Sequence, residues 1–291
     1  MDISVSDVAY LLTLPAGALS LDDKVIYFIV NEDGELTEKH WNGKEYEDNV
    51  FISSDFRASP SAKYLLNQNT RRVFFPSRDN ALKYAEYDED EEEWTENFVD
   101  RDGPIQLHPE SKISGCFDDL NGQIIFFQDP SGALQCIRLA ENNECTPLPP
   151  LPKINQSGNI IHTAYATNDG VIHVLYIDDT GRIHVVNLAT PESQWQDIVL
   201  ETANFGSSQI TNFAMTSTNE AERGFLAVVS GTTIVYIDPR GELMEVGAID
   251  KKRFDPSSSE ECANELYRIC KKIVRAFGGG KIKSGCSCRE K

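Results

Sequence analysis

The sequence predicts an all-β fold, a five-bladed β-propeller of four-stranded antiparallel blades, on three observations. An apolar, β-rich run, a turn and a second run recur about every 50 residues. Turns bearing glycine separate the runs, and every copy is flanked on both sides by a further strand-like segment. Radial repetition of such units leaves only short, protected sheet edges, which is the propeller solution to the edge-strand problem.

The copies can be taken in order. The first reads KVIYFIVNEDGELTEKHW from Lys24, the second RVFFPSRDNALKYAEY from Arg72, the third QIIFFQDPSGALQCIRL from Gln123 and the fourth HVLYIDDTGRIHVVNL from His173. The first apolar residue after each turn serves as a marker, giving Leu36, Leu82, Leu134 and Ile183 at spacings of 46, 52 and 49. Two segments compete for the fifth copy. YIDPRGEL would place the marker at Leu243, a spacing of 60, and GFLAVVSGTTIVYID places it at Ile234, a spacing of 51, which keeps the period. First strands are expected at 7–14, 62–68, 111–117, 160–166 and 210–216, and fourth strands at 46–52, 94–99, 145–151, 195–200 and 242–249. The connecting dipeptides Asp33-Gly34, Asn42-Gly43, Ser131-Gly132, Asp169-Gly170 and Thr180-Gly181 supply residues that accept the positive φ of tight hairpin turns.

Residues 251–291 break the pattern and divide the chain into a propeller over 1–250 and a tail. Ser258 and Glu261 form a capping box, Leu266, Ile269, Cys270, Ile273, Val274 and Phe277 follow helical spacing, and Gly278 to Gly280 stop the run. The tail is expected to be an amphipathic helix with a basic end. Charge marks the same boundary. The chain carries −19 overall, yet from Asp250 onward 11 Lys/Arg face 6 Asp/Glu, so the body is more acidic than the total suggests.

That acidity argues against nucleic acid and anionic membrane surfaces as partners. No apolar run approaches the roughly 20 residues of a spanning helix. The start, MDISVSD, is acidic where a secretory signal would be basic, so a mature or leaderless form is expected. No Gly-x-Ser-x-Gly elbow, His-Glu-x-x-His, dinucleotide fingerprint or Walker loop occurs, and no cofactor is expected. The six acids Asp88 to Glu93 lack the spaced ligands and central glycine of a calcium loop and read as a solvated hairpin turn. Cys286-x-Cys288 has no second pair to complete a zinc site, so no metal is expected.

Seven cysteines are present. Cys136 and Cys145 flank a hairpin turn and are candidates for a cross-strand disulfide, and Cys262, Cys270, Cys286 and Cys288 for two more, with Cys116 left over. Bridges would imply a secreted or secretory-pathway protein, with which the sequon at Asn155 agrees; free thiols would imply a cytoplasmic one. Three of five histidines, His162, His173 and His184, fall in the fourth copy, where a one-residue change of register decides which of them share a face.

The run from Gly34 through Leu36, Glu38 and Trp41 to Gly43, with the outer-strand starts at Tyr46, Trp94 and Trp195, resembles a blade of the fungal fucose-specific lectins, which are β-propellers. The resemblance spans about residues 20–250. It implies sugar sites built from an Arg opening the second strand, a Glu or Gln two residues past the marker, and aromatic rings. Copy by copy those positions hold Lys24, Glu38 and Trp41; Arg72, Tyr84 and Tyr87; Gln123, Cys136 and Leu139; His173, Val185 and Leu188; and Gly224, with Arg223 beside it, and Tyr236. No copy keeps both Arg and Glu. A sugar hydroxyl buried against Val185 or Cys136 would be left unpaired at about 1–3 kcal/mol each. The resemblance therefore implies a scaffold turned to an apolar small molecule, most concretely a cofactor-free pericyclase of the hetero-Diels–Alderase type in fungal secondary metabolism. In that reading Arg72, Lys24 and His173 are the donors or acid–base groups, and Glu38, Trp41, Tyr84, Tyr87 and Tyr236 line the ligand. The alternative is a fucose- or carbohydrate-binding lectin with eroded sites, for which the first copy is the best preserved. A scaffold for protein contacts is the third reading. The sequence leaves the oligomeric state open.

Overall fold

The second strand of each copy is apolar at almost every position, in RRVFFP, QIIFFQ and IHVLYI, rather than alternating. A strand reads this way when both of its faces are covered. In this computed structural model they are covered by the neighbouring blades. The structure describes residues 16–256 apart from 21–24, 33, 42–45, 58–60, 68–69, 101–102, 150, 153–159, 168–169, 189–193, 206–209, 216–224, 230–231, 239 and 251–252. The expected first strand at 7–14, Lys24, Asn42-Gly43, the helix after residue 256 and the four tail cysteines lie outside the described residues.

Five antiparallel sheets follow one another along the chain. Blade 1 is β1 (Ala16–Ser20), β2 (Val25–Glu32), β3 (Glu35–Trp41) and β4 (Tyr46–Ser53). Blade 2 is β5 (Lys63–Leu66), β6 (Arg71–Pro76), β7 (Leu82–Asp88) and β8 (Glu93–Phe98). Blade 3 is β9 (Ser114–Phe117), β10 (Gln123–Gln128), β11 (Leu134–Leu139) and β12 (Cys145–Pro147). Blade 4 is β13 (His162–Ala166), β14 (Ile172–Ile177), β15 (Arg182–Leu188) and β16 (Gln196–Asn204). Blade 5 is β17 (Ile210–Met215), β18 (Phe225–Val229), β19 (Thr233–Ile237) and β20 (Leu243–Asp250), with a further strand β21 (Arg253–Pro256) on its outer edge. First strands of consecutive blades pack together from β1 through β5, β9 and β13 to β17. The molecule is a five-bladed propeller.

Among the described residues, the core lies in four interfaces between blades. Ile29, Leu36, Val73, Phe75 and Ala85 join blades 1 and 2. Phe74, Leu82, Ile125, Phe127 and Leu139 join blades 2 and 3. Ile124, Phe126, Val174, Leu188 and Trp195 join blades 3 and 4, and Leu175, Ile183, Ala227 and Ile237 join blades 4 and 5. Alternation along β6 therefore sends Val73 and Phe75 toward blade 1 and Phe74 toward blade 3.

The turns before the third strands share one chemistry. Asp129 Oδ1 accepts the N–H groups of Ser131 and Ala133, and Asp178 Oδ1 those of Thr180 and Arg182. Gly34, Gly132 and Gly181 take φ near +85°, and Asn80 takes that role in blade 2 at φ 60. Asp238 and Gly241 repeat the motif one strand later, between β19 and β20. This is why Leu243 imitates a marker. Counted from β17 as first strand, Ile234 opens the third strand and pairs with Val228, while Leu243 pairs with Ile237 at the same separation.

Cys136 and Cys145 do not form the expected bridge. Cys145 lies opposite Leu139 and faces blade 2, whereas Cys136 faces blade 4, so the blade itself separates the two sulfurs. Cys116, Cys136 and Cys145 are free thiols. Burial pushes the Cys116 thiol up to about 12, with Asp118 adding to burial and Lys63 opposing it.

Candidate functional site

At one end of the apolar interface between blades 1 and 2 the core gives way to a buried polar cluster. Glu38, two residues past its marker on β3, is fully buried. Its carboxylate accepts from Arg71 Nη2 at 2.5 Å and His40 Nε2 at 2.6 Å on one oxygen, and from the Tyr64 hydroxyl at 2.5 Å on the other. The Tyr64 oxygen in turn accepts from Arg71 Nε at 3.0 Å. Burying a carboxylate is tolerable only when it is paired and saturated with donors, and here three donors surround it.

Aromatic rings hold the cation. The Arg71 guanidinium carbon lies 3.8 Å from the Tyr87 ring centre, 4.5 Å from that of Tyr27 and 5.6 Å from that of Trp94. Trp94 meets both Tyr64 and Tyr87 edge-on. Burial alone would weaken the Arg71 cation, but Tyr64 and Glu38 outweigh it and raise its proton affinity. Burial, reinforced by the Glu38 carboxylate, pushes the Tyr64 phenol well above its ordinary value, so it remains an O–H donor. The outward side is more open. Arg71 Nη1 meets Glu89 at 3.3 Å, and the Glu89 side chain is 74% exposed. The Trp94 indole N–H is covered and has no hydrogen-bond partner among the described residues.

The residues singled out from the sequence fall in several places. Glu38 and Tyr87 belong to this cluster, and Trp41 follows His40 on the opposite side of β3. Arg72 faces blade 3 instead. It donates to Glu86 at 2.7 Å and to Asn143 at 2.7 Å, with Tyr84 4.9 Å from its guanidinium carbon. Arg72 Nη1 and Gln123 Oε1 are buried there without partners among the described residues. His173 is in blade 4, stacked on Tyr165 and 2.5 Å from Asn187. Tyr236 is half-buried on β19 in blade 5. Sequence reasoning missed Arg71, Tyr64, Tyr27 and His40, and took Trp94 only as a strand start. The signal that would have found Arg71 is strand alternation, since residue 71 shares its face with Val73 and Phe75.

No protein-family model and no curated protein matches the chain. Solved structures do match. AofleA from Arthrobotrys oligospora aligns at 15% identity and a TM-score of 0.61, over 87% of this chain and 74% of that one. The SapL1 lectin, solved with alpha methyl fucoside, aligns at 16% identity and a TM-score of 0.57, over 81% and 79%. The fucose-specific lectin of Aleuria aurantia aligns at 13% identity and a TM-score of 0.58, over 81% and 77%. The chain has a lectin-type propeller fold. The Aleuria aurantia lectin is described as six-bladed, so this lectin-type propeller builds the same kind of ring from five blades. In it, the positions equivalent to Glu38 hold Tyr84, Cys136, Val185 and Tyr236, each at the matching register on the third strand. At these positions, counted from Ile234 in blade 5, the carboxylate occurs in blade 1 alone among the described residues.

Proposed function

We propose that this lectin-type propeller binds a neutral sugar of the fucose type at the junction of blades 1 and 2. The observation that carries the reading is the Arg71–Glu38–Tyr64 cluster walled by Tyr27, Tyr87 and Trp94. Glu38 is too deep to meet a ligand and instead fixes Arg71 and Tyr64. The ligand takes its hydrogen bond from Arg71 Nη1, on the outward side of the cluster, and lays its apolar face on Tyr87. The known ligands of the structural neighbours, SapL1 among them, support the sugar class. The reading as a cofactor-free pericyclase on an apolar substrate has weaker support. Of its three donors, Arg72 and His173 sit at different interfaces and are each already paired.

The test is calorimetric titration with methyl α-L-fucoside. Tyr87→Ala, which removes the half-exposed wall and leaves Glu38 paired, is expected to weaken binding about tenfold, the value of one aromatic face. Equal binding by both proteins refutes this placement.

A further inference from the structure

We propose that Glu89 is the specificity gate of this pocket, a tethered carboxylate on the outward donor of Arg71 that admits neutral sugars and turns away anionic ones. The inference rests on the sugar-site reading above.

The contacts of Arg71 to Glu38, Tyr64, His40 and the flanking rings are internal to the cluster. The contact to Glu89 is different in kind. Glu89 reaches Nη1 at 3.3 Å from a side chain that is 74% exposed, so water screens this pair and little holds it. A ligand oxygen approaching Nη1 displaces Glu89 at small cost.

The position of Glu89 in the chain adds charge to that geometry. It lies in the turn joining β7 to β8, whose first and last strand residues beside the pocket are Tyr87 and Trp94, the two walls. All six residues between those walls are acids, and Asp88 to Glu93 are exposed. Asp88 Oδ1 accepts from the Asp90 and Glu91 N–H groups, which folds the turn back on itself between the two walls. A sulfate or carboxylate on a ligand would enter next to these charges and meet an Arg71 already balanced by Glu38. A neutral hydroxyl meets no such penalty.

The experiment compares wild type, Glu89→Gln and Glu91→Gln against methyl α-L-fucoside and its monosulfated ester. Expected for Glu89→Gln is about two- to fivefold tighter binding of the neutral sugar, the range of an exposed ion pair, together with measurable binding of the sulfated one. Glu91→Gln removes the same charge without the Arg71 contact and is expected to change neither affinity by as much. Equal effects of the two substitutions, or none, overturn the gate while leaving the sugar site standing. Should no variant bind either sugar, the sugar-site reading fails, and the gate is judged by tryptophan quenching. Iodide should quench Glu89→Gln more than wild type while acrylamide quenches both alike, and unchanged iodide quenching overturns the gate.

Discussion

Two adjacent arginines show how much one residue of register decides. Arg71 and Arg72 lie side by side at the start of β6, yet one faces blade 1 and the other blade 3. Position in the repeat identified the neighbourhood of Arg71 and named its neighbour, because spacing resolves a strand but not which face a residue takes. Glu38 was legible, since it is the carboxylate that follows its marker at the family's spacing. Tyr64 was not, because nothing in AKYLLNQ tells which of its residues turns toward a partner 26 positions away. The two arginines should respond differently to removal. Arg71→Ala leaves a fully buried carboxylate without its cation and is expected to cost about 3–5 kcal/mol. The carboxylate partner of Arg72, Glu86, is 37% exposed and can be rehydrated, so Arg72→Ala should cost about 1–2 kcal/mol. Urea unfolding of the two variants measures both, and equal losses would contradict the difference in burial.

At the scale of elements, the fold was readable wherever a turn states its conformation. Gly34, Gly132 and Gly181 sit at positive φ before the third strands, and the period between markers followed from them. Blade 2 was found without a glycine because Asn80 tolerates the same region. The first strand of blade 1 was placed too early in the sequence. The strand that pairs with β2 is AGALS, in which small residues give little apolar signal, and its register is set by Ser20 opposite Val25. The extra strand β21 was hidden by the charged residues that open the tail. Two glycines separate conformation from space. A Cβ on Gly34 would touch nothing within 4 Å, so Gly34→Ala pays only for φ +86 and should cost about 1 kcal/mol. Gly115 on β9 has ordinary dihedrals, but a Cβ there would lie 2.6 Å from the Ile124 carbonyl oxygen and 2.9 Å from Ile125 Cδ1. Gly115→Ala must push β9 off β10 and should cost about 2–3 kcal/mol. Thermal denaturation of the pair ranks them, and the reverse order would show that the inner strand yields more readily than a turn.

Across the whole molecule, blades are joined by apolar faces with polar residues set into their ends, and those insertions tie stability to pH. Register settles the histidines of blade 4: His162, Tyr176 and His184 lie in one row facing blade 3, and His173 lies on the other face. His162 crosses the interface. Its Nδ1 is 2.6 Å from Ser114 Oγ and its Nε2 is 3.3 Å from the Lys112 carbonyl oxygen, both in the approach to blade 3. A neutral ring that donates from Nε2 and accepts at Nδ1 satisfies both contacts, and a second proton would set two donors against each other unless Ser114 turned. Burial first, and then the nearby Lys112 cation, lower the His162 pKa to about 4 despite the carbonyl contact. Unfolding restores a value near 6.5, so the unfolded chain takes up the proton first as the pH falls. The contribution is therefore whole above about pH 6.5 and is lost progressively as the pH falls toward 4, on the order of 3 kcal/mol in total. Asp178 titrates lower. Burial opposes its ionisation, but Thr180, Arg182 and His184 outweigh it and hold its carboxyl well below the usual range, so its contribution is lost only in stronger acid. Between pH 7 and 4.5 the slope of unfolding free energy should consequently be shallower in His162→Gln than in wild type. Urea titrations at half-unit intervals measure it, and parallel slopes in the two proteins would show that the joint between blades 3 and 4 does not depend on a neutral imidazole.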